Sequence, residues 1–149
     1  MSDNWLKFIP DKPTFQPNPE AAEYARSLLA SFVPKADNIS IEFNEFVTFF
    51  DPGANWSGVK CPMCGADVEE WWQEVMGVAA EKDFQDLLVI TSCCGNEISL
   101  NNLQYVWPAA FGRFVLEAKN PNITDFSFIQ QDQLEKILGC TLRQVWMHL

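Results

Sequence analysis

The order of periodicities along the chain predicts an α+β fold. It is a ferredoxin-like sheet of two split β-α-β units, with an N-terminal arm and helix in front and a cysteine-bearing insertion within it. Three observations carry this reading. From residue 39 onward, segments of period two and segments of helical period follow the order strand, helix, strand, excursion, strand, helix, strand. The chain has 149 residues, the size of one domain, and residues 1–149 are expected to share one core. Four of its five cysteines sit in two spots, both within residues 59–95.

Residues 1–17 place Pro10, Pro13 and Pro17 among Trp5, Phe8 and Phe15. Proline has no amide hydrogen and a fixed φ, so no regular helix runs through this stretch. It is expected to be an extended arm whose aromatics pack onto the domain or a partner subunit. Asn18-Pro19-Glu20 opens a helix: Asn18 caps, Pro19 suits the first helical position, and Glu20 meets the positive end of the dipole. Ala21, Ala25, Leu28, Leu29 and Phe32 follow at helical spacing, and Pro34 ends the run. Ile39 to Phe50 reads as a long strand with Ile39, Ile41, Phe43, Val47 and Phe49 on one face. Glu45 falls on that face and marks either a bulge, the preferred reading, or a buried carboxylate with a partner. Asp51-Pro52-Gly53 is turn chemistry.

A second helix is expected from Asp67, with Asp67 as cap, Glu70 completing a capping box, and Trp72, Val75, Met76 and Ala79 as its apolar stripe. Leu87-Leu88-Val89-Ile90, a continuous apolar run, reads as a buried strand. Ile98 to Trp107 forms a small extended excursion closed by Trp107-Pro108. Phe111 to Lys119 fits either period and is assigned to a strand, because Asn120-Pro121-Asn122 resembles the turn after one. Ser127-Phe128-Ile129-Gln130 caps a helix carrying Leu134, Ile137 and Leu138, and Gly139 ends it. Thr141 to Leu149 is the last strand.

Val59-Lys60-Cys61-Pro62-Met63-Cys64-Gly65 is answered by Ser92-Cys93-Cys94-Gly95. In a β-α-β unit the two strands run parallel, so their C-terminal ends share one sheet edge. Cys61-x-x-Cys64 would follow the first strand and Cys93-Cys94 the second, which brings the pairs together. Thiolates are soft ligands, and Zn2+ takes a tetrahedron of four without electronic penalty. The expected ligands are Cys61, Cys64, Cys93 and Cys94. A regular second half would be another Cys-x-x-Cys-Gly, but Thr91 stands where its first cysteine belongs. Cys140, at the start of the last strand, is the rival fourth ligand, and otherwise a buried apolar cysteine. His148, the only histidine, is expected at the far edge.

The forms Cys61-Pro62-Met63-Cys64-Gly65 and Cys94-Gly95 resemble the knuckles of zinc-ribbon proteins. That class implies nucleic-acid or protein binding. The longer pattern from Cys93-Cys94-Gly95 through Ser99-Leu100-Asn101 to Trp107-Pro108 is similar to small uncharacterised bacterial proteins with paired cysteine motifs, which imply no activity.

Twenty acidic residues against ten basic ones give a formal charge of −10. A grip on phosphates needs clustered cations, and none are clustered here, so nucleic acid is not the expected partner. Asp67, Glu69, Glu70, Glu74, Glu81, Asp83 and Asp86 offer a face to a basic protein partner. No apolar run reaches the length of a membrane span, and Met1-Ser2-Asp3-Asn4-Trp5 lacks the blocks of a signal peptide, so a cytoplasmic protein is expected. Phosphate loops, Gly-x-Gly-x-x-Gly and Gly-x-Ser-x-Gly are absent from the sequence.

The leading expectation is a non-catalytic protein-interaction module with a structural zinc site of four cysteines. The alternative is a zinc-dependent hydrolase or deaminase-like enzyme with an open coordination position, its acid or base drawn from Glu97, Glu69 or Glu70. The His-x-Glu of the deaminase pattern is missing. Thiol redox chemistry at Cys61 and Cys64 is a third reading. It is opposed by the nearby carboxylates, which disfavour a thiolate.

Overall fold

The computed structural model describes residues 3–149. In chain order its elements are β1 (Asn4–Pro10), α1 (Pro19–Phe32), β2 (Asn38–Phe50), β3 (Val59–Lys60), α2 (Glu69–Glu81), β4 (Leu88–Ile90), β5 (Glu97–Ser99), a 3-10 turn (Leu100–Asn102), β6 (Gln104–Tyr105), β7 (Ala110–Lys119), α3 (Phe128–Leu138) and β8 (Leu142–His148). The main sheet has the order β2-β7-β1-β8, with every neighbouring pair antiparallel. Strands β1 and β2 are therefore parallel with β7 between them, and β7 and β8 are parallel with β1 between them. Two small hairpins, β3-β6 and β4-β5, belong to the insertion between β2 and β7.

Both flanking helices end as local chemistry dictates. The Asn18 side chain accepts the Glu20 N–H at 2.8 Å at the start of α1. Ser127 Oγ accepts the N–H groups of Ile129 and Gln130 at the start of α3, and Gly139 closes it at φ +77°. Helices α1 and α3 cover one face of the sheet, and Ala22, Ala25, Leu29, Leu134 and Leu138 bury Leu6, Phe8, Phe114, Leu116 and Ala118. A second core lies in the insertion. Val59, Cys61, Val68, Ala79, Leu100 and Tyr105 pack with Phe111 of β7, and Phe49, Trp56 and Trp72 lie against them. The Trp56 and Trp72 rings stack at 4.8 Å, and Phe49 meets Phe111 at the same separation.

The irregularity signalled by Glu45 is present. Phe43 pairs with Phe114 and Thr48 with Gly112, so β2 carries three extra residues between those pairs. Phe43 lies against Phe114, at 5.0 Å, whereas Phe49 beyond the bulge lies against Phe111 in the second core. The carbonyl freed at Asn44 accepts from Gln16 Nε2 at 2.9 Å and Arg113 Nε at 3.3 Å, so the bulge leaves no orphaned acceptor there.

Three expectations are corrected. The stretch expected as an arm supplies β1, an internal strand with partners on both sides, while Met1 and Ser2 lie outside the described residues. Pro10 is compatible with this because it is the last strand residue and Pro13 and Pro17 come after it. Leu87–Ile90 is not a buried strand of the main sheet. Its strand pairs only with β5 and leaves Leu88 59% and Ile90 65% exposed. Strand β2, α2 and β4 therefore form no β-α-β unit. Helix α2 also starts one residue late: Val68, not Asp67, is its N-cap, without a side-chain bond, and Asp67 Oδ1 accepts the Glu69 N–H at 2.9 Å.

The insertion is clamped to the sheet by polar contacts. Buried Asn101 donates to the Asp11 carbonyl at 3.0 Å and accepts the Phe111 N–H at 3.0 Å. Arg143 of β8 reaches Asp11 Oδ1 at 2.5 Å, the Asn101 carbonyl, and Asn102 Oδ1 at 2.9 Å. No helix among the described residues is long and apolar enough to cross a membrane.

An internal strand and a packed arm respond differently to removal. Deletion of residues 1–10 is expected to abolish cooperative thermal unfolding, and Phe8→Ala to cost about 3–5 kcal/mol in denaturant titration. An arm would give a folded protein with a small loss in each case.

Candidate metal centre

Each cysteine pair sits on a tight loop with the same backbone pattern. At the first, the Cys61 N–H donates to the Ala66 carbonyl at 2.9 Å, and the Gly65 N–H donates to the Cys61 carbonyl at 2.8 Å. At the second, the Thr91 N–H donates to the Asn96 carbonyl at 3.0 Å, and the Gly95 N–H donates to the Thr91 carbonyl at 2.9 Å. Gly65 and Gly95 take φ of +77° and +69°, the left-handed region that favours glycine, which is why Cys-Gly ends both knuckles. Strand β3 leads into the first loop and the β4-β5 hairpin frames the second.

The sulfurs of Cys61, Cys64, Cys93 and Cys94 all lie within 4.8 Å of one another. Cys61 and Cys94 are 3.8 Å apart, Cys64 and Cys93 3.4 Å, and Cys93 and Cys94 3.8 Å. A tetrahedral ion with metal–sulfur bonds of about 2.3 Å needs sulfur–sulfur edges of about 3.8 Å. The cluster has the size and donor chemistry to hold one metal ion. Cys61 is buried in the insertion's core and the other three are exposed.

The route by which the pairs meet differs from the expectation. No shared edge of the main sheet is involved, because β4 lies outside that sheet. The insertion alone juxtaposes the knuckles, with β3, β4 and α2 packed on one apolar cluster containing Val59, Val89, Val68 and Ala79. Cys140 stands apart, half-buried against the helix-side core, and burial together with the Glu135 carboxylate pushes its thiol up to about 11. His148 is likewise outside the cluster, its Nδ1 2.6 Å from Asn4 Oδ1.

Two polar neighbours act on Cys94. Thr91 Oγ1 lies 3.3 Å from its sulfur, and Asn96 Nδ2 donates to it at 3.2 Å. The threonine hydroxyl, and then the asparagine amide, draw the Cys94 thiol down to about 6. Cys93 moves the other way, up to about 12, through loss of solvation and then hydrogen bonding with Cys64. The roles of Thr91 and Asn96 were not read from the sequence. The signal was there in the register of Thr91-x-x-Cys94-Gly95 against Cys61-x-x-Cys64-Gly65.

The carboxylates considered for catalysis are placed unevenly. Glu69 accepts the Trp56 indole N–H at 2.8 Å, and Glu97 is exposed on β5. Glu70 joins Asp67, Val68, Trp71, Glu74, Ser92 and Cys93 around an open cavity of about 640 Å3.

In comparisons with known proteins, no family model, curated protein or solved structure matches the chain.

Cys140→Ala is expected to leave metal stoichiometry unchanged in elemental analysis, since Cys140 lies outside the cluster. Metal binding displaces thiol protons, so affinity measured by chelator competition is expected to fall as pH is lowered across the neutral range, because Cys93 holds its proton there, and to fall more steeply below about 6, where Cys94 takes up its proton as well.

Proposed function

We propose that this protein is a non-catalytic protein-interaction module whose insertion is held together by a structural Zn2+ on Cys61, Cys64, Cys93 and Cys94. The observation that carries the proposal is the convergence of four thiols, from two knuckles of matching backbone, at tetrahedral spacing. Zn2+ suits them because it prefers thiolate donors, has no redox chemistry and imposes no other geometry. Four cysteines fill its coordination sphere and leave no position for water or substrate. A reducing, cytoplasmic compartment would keep the thiols available. The interleaved β1-α1-β2 and β7-α3-β8 units fit the ferredoxin-like plan, with the zinc knuckles between its halves.

Interaction is favoured over catalysis by what surrounds the metal ligands. Residues 51–109 carry nine acidic side chains against two basic ones, most of the chain's excess negative charge. Met63, Val78, Leu88 and Ile90 are exposed apolar side chains of the same region. A basic protein partner fits that combination, and nucleic acid does not. The alternative, a zinc hydrolase or deaminase-like enzyme, draws on the cavity shared by Glu70 and Cys93. It requires Cys93 to be off the metal, so that water can take the fourth position.

Metal content and thiol titration separate these readings. One zinc per chain with four thiols protected until chelation supports the closed site. Three protected thiols would favour the open enzyme site, and the absence of metal would overturn both. Chelation of the loaded protein is expected to lower the melting temperature, because metal binding is coupled to folding.

A further inference from the structure

We infer that Thr91 occupies the position of a knuckle ligand and serves the metal through Cys94, as a positioning residue, while Cys93 supplies the fourth thiolate from outside the regular knuckle. The inference rests on the metal reading above and says how the second half of that site is built.

The backbone is the starting point. Thr91 and Cys61 make the same two hydrogen bonds, to the residue five places on and from the glycine four places on. Both are buried, Thr91 at 1% exposure and Cys61 at 0%. Thr91 is thus the counterpart of a metal-binding cysteine, on a loop shaped to aim that side chain at the metal. A threonine hydroxyl is a poor ligand for a thiolate-bound soft ion, but it donates a hydrogen bond well.

Its surroundings fix what the hydroxyl can do. The Asn96 backbone N–H donates to Thr91 Oγ1 at 3.2 Å, which occupies an acceptor lone pair and leaves the hydroxyl proton to be placed. The Asn96 carbonyl, at 3.4 Å, already receives the Thr91 N–H at 3.0 Å. The Cys94 sulfur, at 3.3 Å, is the shorter contact, and as a thiolate it is the stronger acceptor. Asn96 Nδ2 adds a second donor at 3.2 Å. Two donors on one sulfur spread the charge that four thiolates concentrate on a divalent ion, and they orient Cys94.

A threonine in the ligand position at 91 also accounts for the adjacent cysteines. Cys93 is exposed, lies outside the repeated backbone pattern and is 3.4 Å from Cys64. A regular knuckle would not need it.

The experiment moves the ligand back. Zn2+ affinity is measured by chelator competition, and Co2+ is loaded to read its thiolate charge-transfer band. Thr91→Val is expected to lower Zn2+ affinity about 10–100-fold and shift that band to lower energy, because an unbonded thiolate gives up its electrons more readily. Thr91→Ser should restore both, which a purely structural role for the β-branched side chain would not predict. The double variant Thr91→Cys with Cys93→Ser should hold one metal per chain with a four-thiolate spectrum, whereas Cys93→Ser alone should not. Wild-type affinity and spectrum in Thr91→Val, or a double variant no better than Cys93→Ser, would overturn the inference while leaving the zinc site standing. A wild-type protein that binds no metal overturns the zinc reading itself, and the inference with it.

Discussion

Strand β7 has no face left for water along most of its length. Phe114, Leu116 and Ala118 lie under the helices, while Phe111 belongs to the core of the insertion and Val115 packs with Ile9, Phe50 and Val145. A strand buried on both faces requires a cover on each. The helices provide one and the insertion provides the other at the end where β7 begins. The second core, with Trp72, Trp56 and Tyr105, exists because Phe111 and Phe49 must be shielded there. The position of the first knuckle follows from that shielding, since Cys61 is itself part of the same core.

The bulge in β2 makes the arrangement possible. Without its three extra residues, β2 would keep one apolar face from Ile39 to Phe49, and one core would receive all of it. With them, Phe43 serves the helix side and Phe49 serves the insertion. Gln16 and Arg113 satisfy the Asn44 carbonyl that the bulge frees, so the change of face leaves that acceptor paired.

Local chemistry is well legible in the sequence. Asn18 and Ser127 cap, Gly139 terminates, Glu45 signals the bulge, and Cys-Gly marks both knuckles. The set of cysteines that converge is also legible, because Cys-x-x-Cys closed by glycine is a metal-knuckle pattern and a second cysteine pair answers it. Long-range pairing is not. The prolines of residues 10–17 mask the alternation of Leu6 and Phe8, since proline rules out a helix but not a strand that stops at Pro10. Leu88 and Ile90 look buried because apolar runs usually are, and only the observed pairing shows them on an exposed hairpin. Thr91 stands out as a missing cysteine, but its role depends on hydrogen bonds that no spacing rule records.

The main sheet leaves and resumes at one point. Phe50 and Ala110 are partners across the β2-β7 ladder, so everything between them departs from and returns to a single rung. This has a kinetic meaning. Chain entropy resists pairing two strands separated by so long an excursion, and such contacts form slowly. An excursion that gathered first around a metal on its four cysteines would bring residues 50 and 110 near each other before the ladder formed. The long loop would then behave as a short one. In that order of events, the middle of the chain would fold early, and the sheet that carries it would be assembled across ends that the middle had placed together.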